Sequence, residues 1–139
     1  MKGTYLLVID VKKDLILQVG SLGKISFKKG RYCYIGSAMG PGQNALENRV
    51  KRHLKNSESK KFHWHIDYLL VNKNVFVEKV FAKQSEEKLE CSIASKISNL
   101  YGLKEIDRFG SSDCSCLSHL FKIKNMAFIE RLGFKEFKF

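Results

Sequence analysis

Residues 31–53 read RYCYIGSAMGPGQNALENRVKRH and join three kinds of local structure in one run. The aromatic and apolar residues at 32–35 are typical of a half-buried strand. Three glycines and a proline at 36–42 then break the strand and predict a sharp turn. Asn44 is expected to cap the helix that follows, whose apolar stripe consists of Leu46, Val50 and Leu54. A strand, a glycine-rich turn and a helix N-terminus together predict a phosphate-binding site.

Composition limits the class of protein. The chain has 139 residues, of which 44% are hydrophobic, and this predicts one globular domain over residues 1–139. The formal net charge is +11, from 25 Lys and Arg residues against 14 acidic residues. So large a positive charge on a small domain favours nucleic acid as the partner, with a solubilising lysine-rich surface as the alternative.

The apolar stretches bear on location. The run from Tyr5 to Ile9 is too short for a signal-peptide core or a membrane span, and no other uncharged stretch approaches membrane length. We therefore expect a cytoplasmic protein with no membrane partner. In that compartment the four cysteines are expected to be reduced thiols. They are Cys33, Cys91, Cys114 and Cys116.

The order of strands and helices predicts the α/β (α+β) class. Residues 4–10 include a continuous apolar run, as in a central strand that is covered on both faces. Residues 15–19 and 24–28 alternate in character and predict a hairpin before the strand near Tyr34. We expect a small, mainly antiparallel sheet flanked by helices, with an extra N-terminal β-hairpin.

A basic segment follows the glycine-rich turn. Six cations fall within the thirteen positions 49–61, where only Glu58 opposes them. The cations are Arg49, Lys51, Arg52, Lys55, Lys60 and Lys61. The last five are candidate nucleic-acid-binding residues, because each neutralised phosphate adds salt-dependent affinity. The alternative is a solvated helix face.

The histidine-rich segment 63–67 leaves two interpretations open. If it is extended, His63, His65 and Asp67 share one face, and the chain then forms a hairpin with residues 75–81. Two histidines and an aspartate at this spacing can bind a metal ion. They can equally hydrogen-bond to the backbone or contact phosphate.

A second helix carries a carboxylate beside its apolar face. Ser85 is its expected cap, and Glu86 and Glu87 lie in the expected first turn. The predicted buried stripe consists of Leu89, Ile93, Ile97 and Leu100. Glu90 borders this stripe and therefore needs a partner, either a cation such as Arg49 or a metal ion.

Cys114, Cys116 and His119 form a third candidate cluster. They could ligate zinc, but the usual two-residue gap is missing and no fourth ligand is evident. Packed thiols are the alternative, and we do not expect structural zinc. These three residues, together with His63 and His65, are retained as candidate supporting side chains.

Three short motifs bring these observations together. Gly3-Thr4-Tyr5, Tyr34-Ile35-Gly36 and Arg49-Val50-x-x-His53 resemble the motifs of the GIY-YIG nuclease superfamily. The longer phrases YIGSA, HWHIDYLL and DCSCLSHLF look like one branch of it, which was catalogued as a domain of unknown function (DUF123-like). Together with the three short motifs, these phrases extend from residue 3 to residue 121.

The resemblance implies an α/β sandwich and hydrolysis of phosphodiester bonds with one divalent metal ion, Mg²⁺ or Mn²⁺. Tyr5 and Tyr34 match the tyrosines of which one orients or deprotonates the attacking water. Arg49 matches the arginine that stabilises the phosphorane charge, and Glu90 matches the metal-binding glutamate. His53 completes the expected site, because it and the nearby cations could lower the pKa of a catalytic tyrosine.

The resemblance therefore predicts a metal-dependent endonuclease that acts on DNA or RNA. A noncatalytic nucleic-acid-binding module on the same fold is one alternative. A zinc-stabilised interaction domain built on Cys114, Cys116 and His119 is the other. The extra hairpin and the long glycine-rich turn depart from the family pattern.

Overall fold

The computed structural model describes residues 1–42, 45–54, 65–101, 104–106, 108–110 and 118–138. The strands are β1 (Gly3–Val11), β2 (Leu15–Gln18), β3 (Lys24–Phe27), β4 (Gly30–Ala38), β5 (Val75–Gln84), β6 (Lys104–Glu105), β7 (Leu120–Ile123) and β8 (Lys135–Glu136). The helices are α1 (Leu46–Leu54), α2 (His65–Leu70), α3 (Glu90–Tyr101) and α4 (Ala127–Arg131). Within these ranges, no helix combines the length and the apolar character needed to cross a membrane.

β1 lies in the middle of a six-stranded antiparallel sheet. The strand order, taken over the described residues, is β6-β7-β4-β1-β5-β8. β1 pairs with β4 from Gly3 opposite Ala38 to Val11 opposite Gly30, and with β5 along its other edge. Its apolar run is fully buried because both edges and both faces are covered. The predicted central strand is confirmed.

Alternate residues of β1 face two separate cores. Tyr5, Leu7 and Ile9 pack on the side that α1 and α2 cover. Leu6 and Val8 pack on the opposite side, against residues of α3 and α4. This follows from the two-residue period of a strand. The predicted α+β class, with helices flanking a small antiparallel sheet, is therefore confirmed.

The predicted extra hairpin is also confirmed. β2 and β3 pair antiparallel as a separate two-stranded sheet, joined by a 3-10 turn at Gly20–Leu22. Phe27 at the end of β3 is fully buried, and its ring meets Tyr32 and Phe109 edge-on at centroid distances of 6.2 and 6.0 Å. The hairpin therefore belongs to the α1–α2 core.

Phe27→Ala should destabilise the protein strongly, because it removes a buried ring from the contact between hairpin and core. We expect the free energy of unfolding to fall by about 3–5 kcal/mol, measured by urea denaturation. Ile16→Ala on the same hairpin is the control, since Ile16 is 72% exposed. That variant should stay within about 0.5 kcal/mol of the wild type. Equal losses in both variants would contradict this assignment of the hairpin.

Gly36 does not break the strand as predicted. β4 continues through it to Ala38 because β1 supplies partners along the whole length. Gly36 lies opposite Tyr5, and a β-carbon there would collide with Cζ and Oη of the tyrosine. The glycine therefore serves to admit the Tyr5 ring. Asn44, the predicted helix cap, lies outside the described residues.

The strand predicted at residues 75–81 is confirmed as part of β5, but the extended interpretation of the histidine-rich segment and its hairpin with that strand are wrong. Residues 65–70 form α2, and β5 pairs with β1 and β8 instead of forming a hairpin with this segment. Ile66 and Leu69, three residues apart, are both fully buried, as one face of a helix requires. A short apolar run fits both periodicities, and tertiary packing decided between them.

The predicted start of the second helix is also wrong. The hydroxyl of Ser85 accepts a hydrogen bond from Glu87 N–H and donates one to Glu87 C=O, at 3.0 and 2.8 Å. These bonds form a local turn, which competes with helix formation. α3 begins five residues later, so Glu90 lies in its first turn. Ile93 and Ile97 are buried as predicted.

Candidate active site

Four of the predicted site residues line one cavity, namely Tyr5, Tyr34, Arg49 and Glu90. It has a volume of about 420 Å³ and opens beside β1, β4, α1 and the start of α3. Its ionisable and aromatic lining comprises Tyr5, Tyr34, Arg49, Lys88, Glu90 and His119. Tyr5 and Tyr34 are far apart in sequence, but β1 and β4 pair directly. The two tyrosines therefore lie on the same face of the sheet.

Tyr5 and His53 form a buried pair at the side of this cavity. Both are 2% exposed, and the Tyr5 hydroxyl lies 2.7 Å from Nε2 of His53. Burial raises the pKa of Tyr5 well above its usual range, and this outweighs the opposing effect of Arg49. The expectation that nearby cations lower this pKa is therefore wrong. Tyr5 is therefore a neutral phenol whose hydroxyl lies within hydrogen-bond distance of the imidazole.

Asp67 on α2 stands behind this pair. It is fully buried, and its Oδ1 lies 3.8 Å from Nδ1 of His53. Nη1 and Nη2 of Arg52 reach its two oxygens at 3.3 Å each, which is the fork geometry of an arginine–carboxylate pair. Arg52 thus has a carboxylate partner, and its predicted contact with nucleic acid would compete with that partner.

Sequence reasoning missed the role of Asp67. It treated Asp67 as one of three candidate metal ligands on a strand and did not connect it to α1. The available signal was a carboxylate inside the otherwise apolar run IDYLL, because such a group needs a cation once it is buried. Lys88 was also missed, although it lies two residues before Glu90.

Arg49 is held at the cavity by the backbone of β4. Its Nη1 donates a hydrogen bond of 2.6 Å to the carbonyl oxygen of Ser37. A guanidinium carries five N–H donors in a rigid plane, so one anchored donor fixes the direction of the others. The predicted phosphate-binding arginine therefore lies at the cavity with a set orientation.

Glu90 lies in the cavity wall. It is 8% exposed, and Nζ of Lys88 lies 3.1 Å from its Oε1. No three His, Cys, Asp or Glu side chains converge as a metal-binding group among the described residues. Mg²⁺ commonly uses only one or two carboxylates together with substrate phosphates. The single carboxylate of Glu90 is compatible with a magnesium site of this kind.

His119 and Cys91 border the same cavity wall. His119 is 2% exposed and lines the cavity, with Nε2 3.7 Å from Sγ of Cys91. Cys91 is disulfide-bonded, whereas Cys33 is free and buried. The expectation of four reduced thiols is therefore wrong for Cys91. That expectation was based on the cellular compartment alone, and the compartment does not determine which cysteines the fold brings together.

His65 has a structural partner. Its Nδ1 accepts a hydrogen bond of 2.8 Å from Gly110 N–H, and its ring packs against Phe109. Burial, and to a lesser degree Arg108, lower its pKa, so it is neutral at physiological pH. Because Gly110 lines the cavity, His65 helps to hold that wall in place.

The remaining predicted residues are divided between surface and undescribed segments. Lys51 is exposed on α1. Six predicted site residues lie outside the described ranges, namely Lys55, Lys60, Lys61, His63, Cys114 and Cys116. Their predicted roles stay predictions.

Comparison with known proteins gives one match. A family model with the description "Domain of unknown function DUF123" matches residues 4–136. No curated protein and no solved structure matches the chain. The matched range includes every residue of the cavity lining, from Tyr5 to His119.

Proposed function

The chain belongs to the family described as Domain of unknown function DUF123, and from that premise we propose that it is a divalent-metal-dependent endonuclease of the GIY-YIG type. The observation that carries the proposal is the meeting of Tyr5, Tyr34, Arg49 and Glu90 in one cavity of about 420 Å³. The net charge of +11 supports a polyanionic substrate, which we propose is DNA or RNA. Its proposed contacts are Lys51, Lys55, Lys60 and Lys61, because Arg52 is paired with Asp67.

The reaction is hydrolysis of a phosphodiester. The oxygen of a water molecule forms a bond to phosphorus, and the bond from phosphorus to the leaving oxygen breaks. The proton of that water passes to Tyr5 as the Tyr5 proton passes to Nε2 of His53, 2.7 Å away. The leaving oxygen takes a proton from solvent. Tyr34 orients the attacking water, and Arg49 stabilises the negative charge that develops on the phosphoryl oxygens.

Glu90 is the proposed metal ligand of this site. Mg²⁺ or Mn²⁺ bound there supplies Lewis acidity at the phosphate and its leaving oxygen. Glu90 is held in position by the first turn of α3 and by Lys88, whose ammonium lies 3.1 Å away. Lys88 also keeps this partly buried carboxylate neutralised when no cation is bound.

Glu90→Gln should lower cleavage about 100-fold or more, because the amide keeps the shape but loses the charge that binds the metal. The assay incubates structured and single-stranded DNA and RNA with Mg²⁺ or Mn²⁺ and separates the products on gels. Glu86→Gln is the matched control, since that carboxylate is 84% exposed and lies four residues before Glu90. Unreduced cleavage by Glu90→Gln would contradict the proposed site.

A noncatalytic nucleic-acid-binding module is the second candidate. The observation that favours it is the Lys88–Glu90 ion pair, because an ammonium beside the carboxylate can take the place of a metal ion. That protein would bind nucleic acid with an affinity that falls as salt rises, and it would yield no product with either metal. The cleavage assay above therefore separates the two functions.

A further inference from the structure

We propose that Asp67 is a positioning residue of this site, which orients His53 and stabilises its protonated form while Nε2 holds the Tyr5 proton. The inference rests on the proposed function, because it assigns Asp67 to the proton transfer of that reaction. It extends the Tyr5–His53 pair by two groups, Asp67 and Arg52. Neither of them lines the cavity.

Four side chains form a continuous line from the cavity into the protein. The Tyr5 hydroxyl contacts Nε2 of His53 at 2.7 Å, and Oδ1 of Asp67 lies 3.8 Å from Nδ1 on the far side of the ring. Arg52 then holds both oxygens of Asp67 at 3.3 Å. Each ring nitrogen of His53 therefore faces a different partner. This arrangement favours the tautomer in which Nδ1 carries the proton and Nε2 accepts.

The distance of 3.8 Å decides how Asp67 acts. It is longer than a hydrogen bond, so the effect is carried by charge. When His53 takes the Tyr5 proton it becomes an imidazolium that is almost completely buried, and such a cation is unfavourable unless an anion lies close. Asp67 is that anion. The guanidinium of Arg52 holds the two oxygens of Asp67 in place. Its positive charge also weakens the electrostatic attraction between Asp67 and the imidazolium.

The two rings that the structure places beside His53 carry no negative charge. From β1 and β4 it meets the Tyr5 and Tyr34 rings, at centroid distances of 5.4 and 6.3 Å. The charges of Arg49 and Arg52 lower the pKa of Tyr5, whereas those of Glu90 and Asp67 raise it. Among the contacts that the structure describes for His53, the carboxylate that faces Nδ1 is therefore the one that favours protonation.

The competing interpretation is structural. Asp67 on α2 and Arg52 on α1 also connect the two helices that cover one core. In that case Asp67→Asn would lower stability but would leave the protonation of His53 unchanged. The two interpretations therefore differ in the pKa of His53, and this pKa can be measured in metal-free protein.

The first arm of the test is NMR titration of His53 in metal-free protein. Asp67→Asn keeps the shape and removes the charge, so the pKa of His53 should fall and the Nδ1–H tautomer should lose population. Arg52→Gln removes a cation that weakens Asp67, so the pKa should move in the opposite direction. Asp10→Asn, on the partly exposed end of β1, is the matched control and should change nothing. An unchanged pKa in Asp67→Asn, or shifts of the same sign in both variants, would overturn the inference.

The second arm is kinetic. Asp67→Asn should lower kcat about 10- to 100-fold with little change in KM, as loss of a supporting partner does. The acidic limb of the pH profile of kcat/KM should move to lower pH, because His53 must be neutral to accept the proton. In the His53→Gln background the same substitution should cost nothing further. Full additivity of the two substitutions would show that Asp67 acts only on the fold.

The two arms separate the possible failures. If the wild type cleaves and Asp67→Asn matches it in kcat and pH profile, the inference fails and the proposed function stands. If the wild type cleaves nothing, the proposed function fails, and the NMR arm alone decides whether Asp67 controls His53. If Asp67→Asn does not fold, the opposite shift expected for Arg52→Gln still tests the coupling.

Discussion

Arg49→Ala should lower kcat about 100- to 1,000-fold, because it removes the guanidinium that we propose stabilises charge on the phosphoryl group. The side chain lies at the cavity, where its Nη1 is anchored to the Ser37 carbonyl at 2.6 Å. Truncation leaves the core unchanged, since the buried residues of α1 are Leu46, Val50 and His53. Circular dichroism and the unfolding midpoint should therefore stay close to those of the wild type while single-turnover cleavage falls.

Arg49→Lys tests geometry separately from charge. A lysine ammonium is a point charge without a planar fork, so it cannot both donate to Ser37 and pair with two phosphate oxygens. We expect it to recover less than a tenth of the lost rate. Lys96→Ala is the charge-matched control, because Lys96 is exposed on α3 and its loss lowers the net charge equally. If both alanine variants fell alike, the effect of Arg49 would be one of overall charge.

The motifs made part of the site predictable. The tyrosines at 5 and 34 belong to strands whose apolar patterns are long and clear, and pairing of those strands puts them side by side. Arg49 and His53 lie four residues apart, so one helix face carries both toward the same sheet. The resemblance to a known family pointed to these positions, and local periodicity placed each of them on one strand or one helix.

The rest depended on contacts between segments. Asp67 meets Arg52 and His53 only when α2 packs beside α1, and the extended interpretation of its segment hid these contacts. The start of α3 was misplaced because Ser85 uses its hydroxyl in a local turn, a choice that the cap signal does not distinguish. Burial of Tyr5 reversed the expected direction of its pKa shift, and burial follows from the whole fold.

Tyr5→Phe should lower kcat about 100- to 10,000-fold, because it removes the hydroxyl that in the proposed mechanism passes the proton of water to His53. Phenylalanine fills the same space above Gly36, so substrate affinity should be little changed. The loss should therefore appear in kcat and not in KM. Removal of the hydroxyl also leaves Nε2 of His53 without its 2.7 Å partner, and we expect about 1–3 kcal/mol of lost stability in urea denaturation.

Tyr34→Phe is the matched comparison, because it removes the other tyrosine hydroxyl of the cavity. Tyr34 also lines the cavity, but the ring contact between Tyr34 and His53 is edge-on at 6.3 Å, whereas Tyr5 reaches the imidazole through its hydroxyl at 2.7 Å. An orienting hydroxyl contributes less than one that transfers a proton, so Tyr34→Phe should lose less rate than Tyr5→Phe. The Tyr5 variant should also lose the acidic limb that His53 imposes on the pH profile, while the Tyr34 variant keeps it. If Tyr34→Phe lost more rate than Tyr5→Phe, Tyr34 would be the residue that transfers the proton, and His53 would have no part in the reaction.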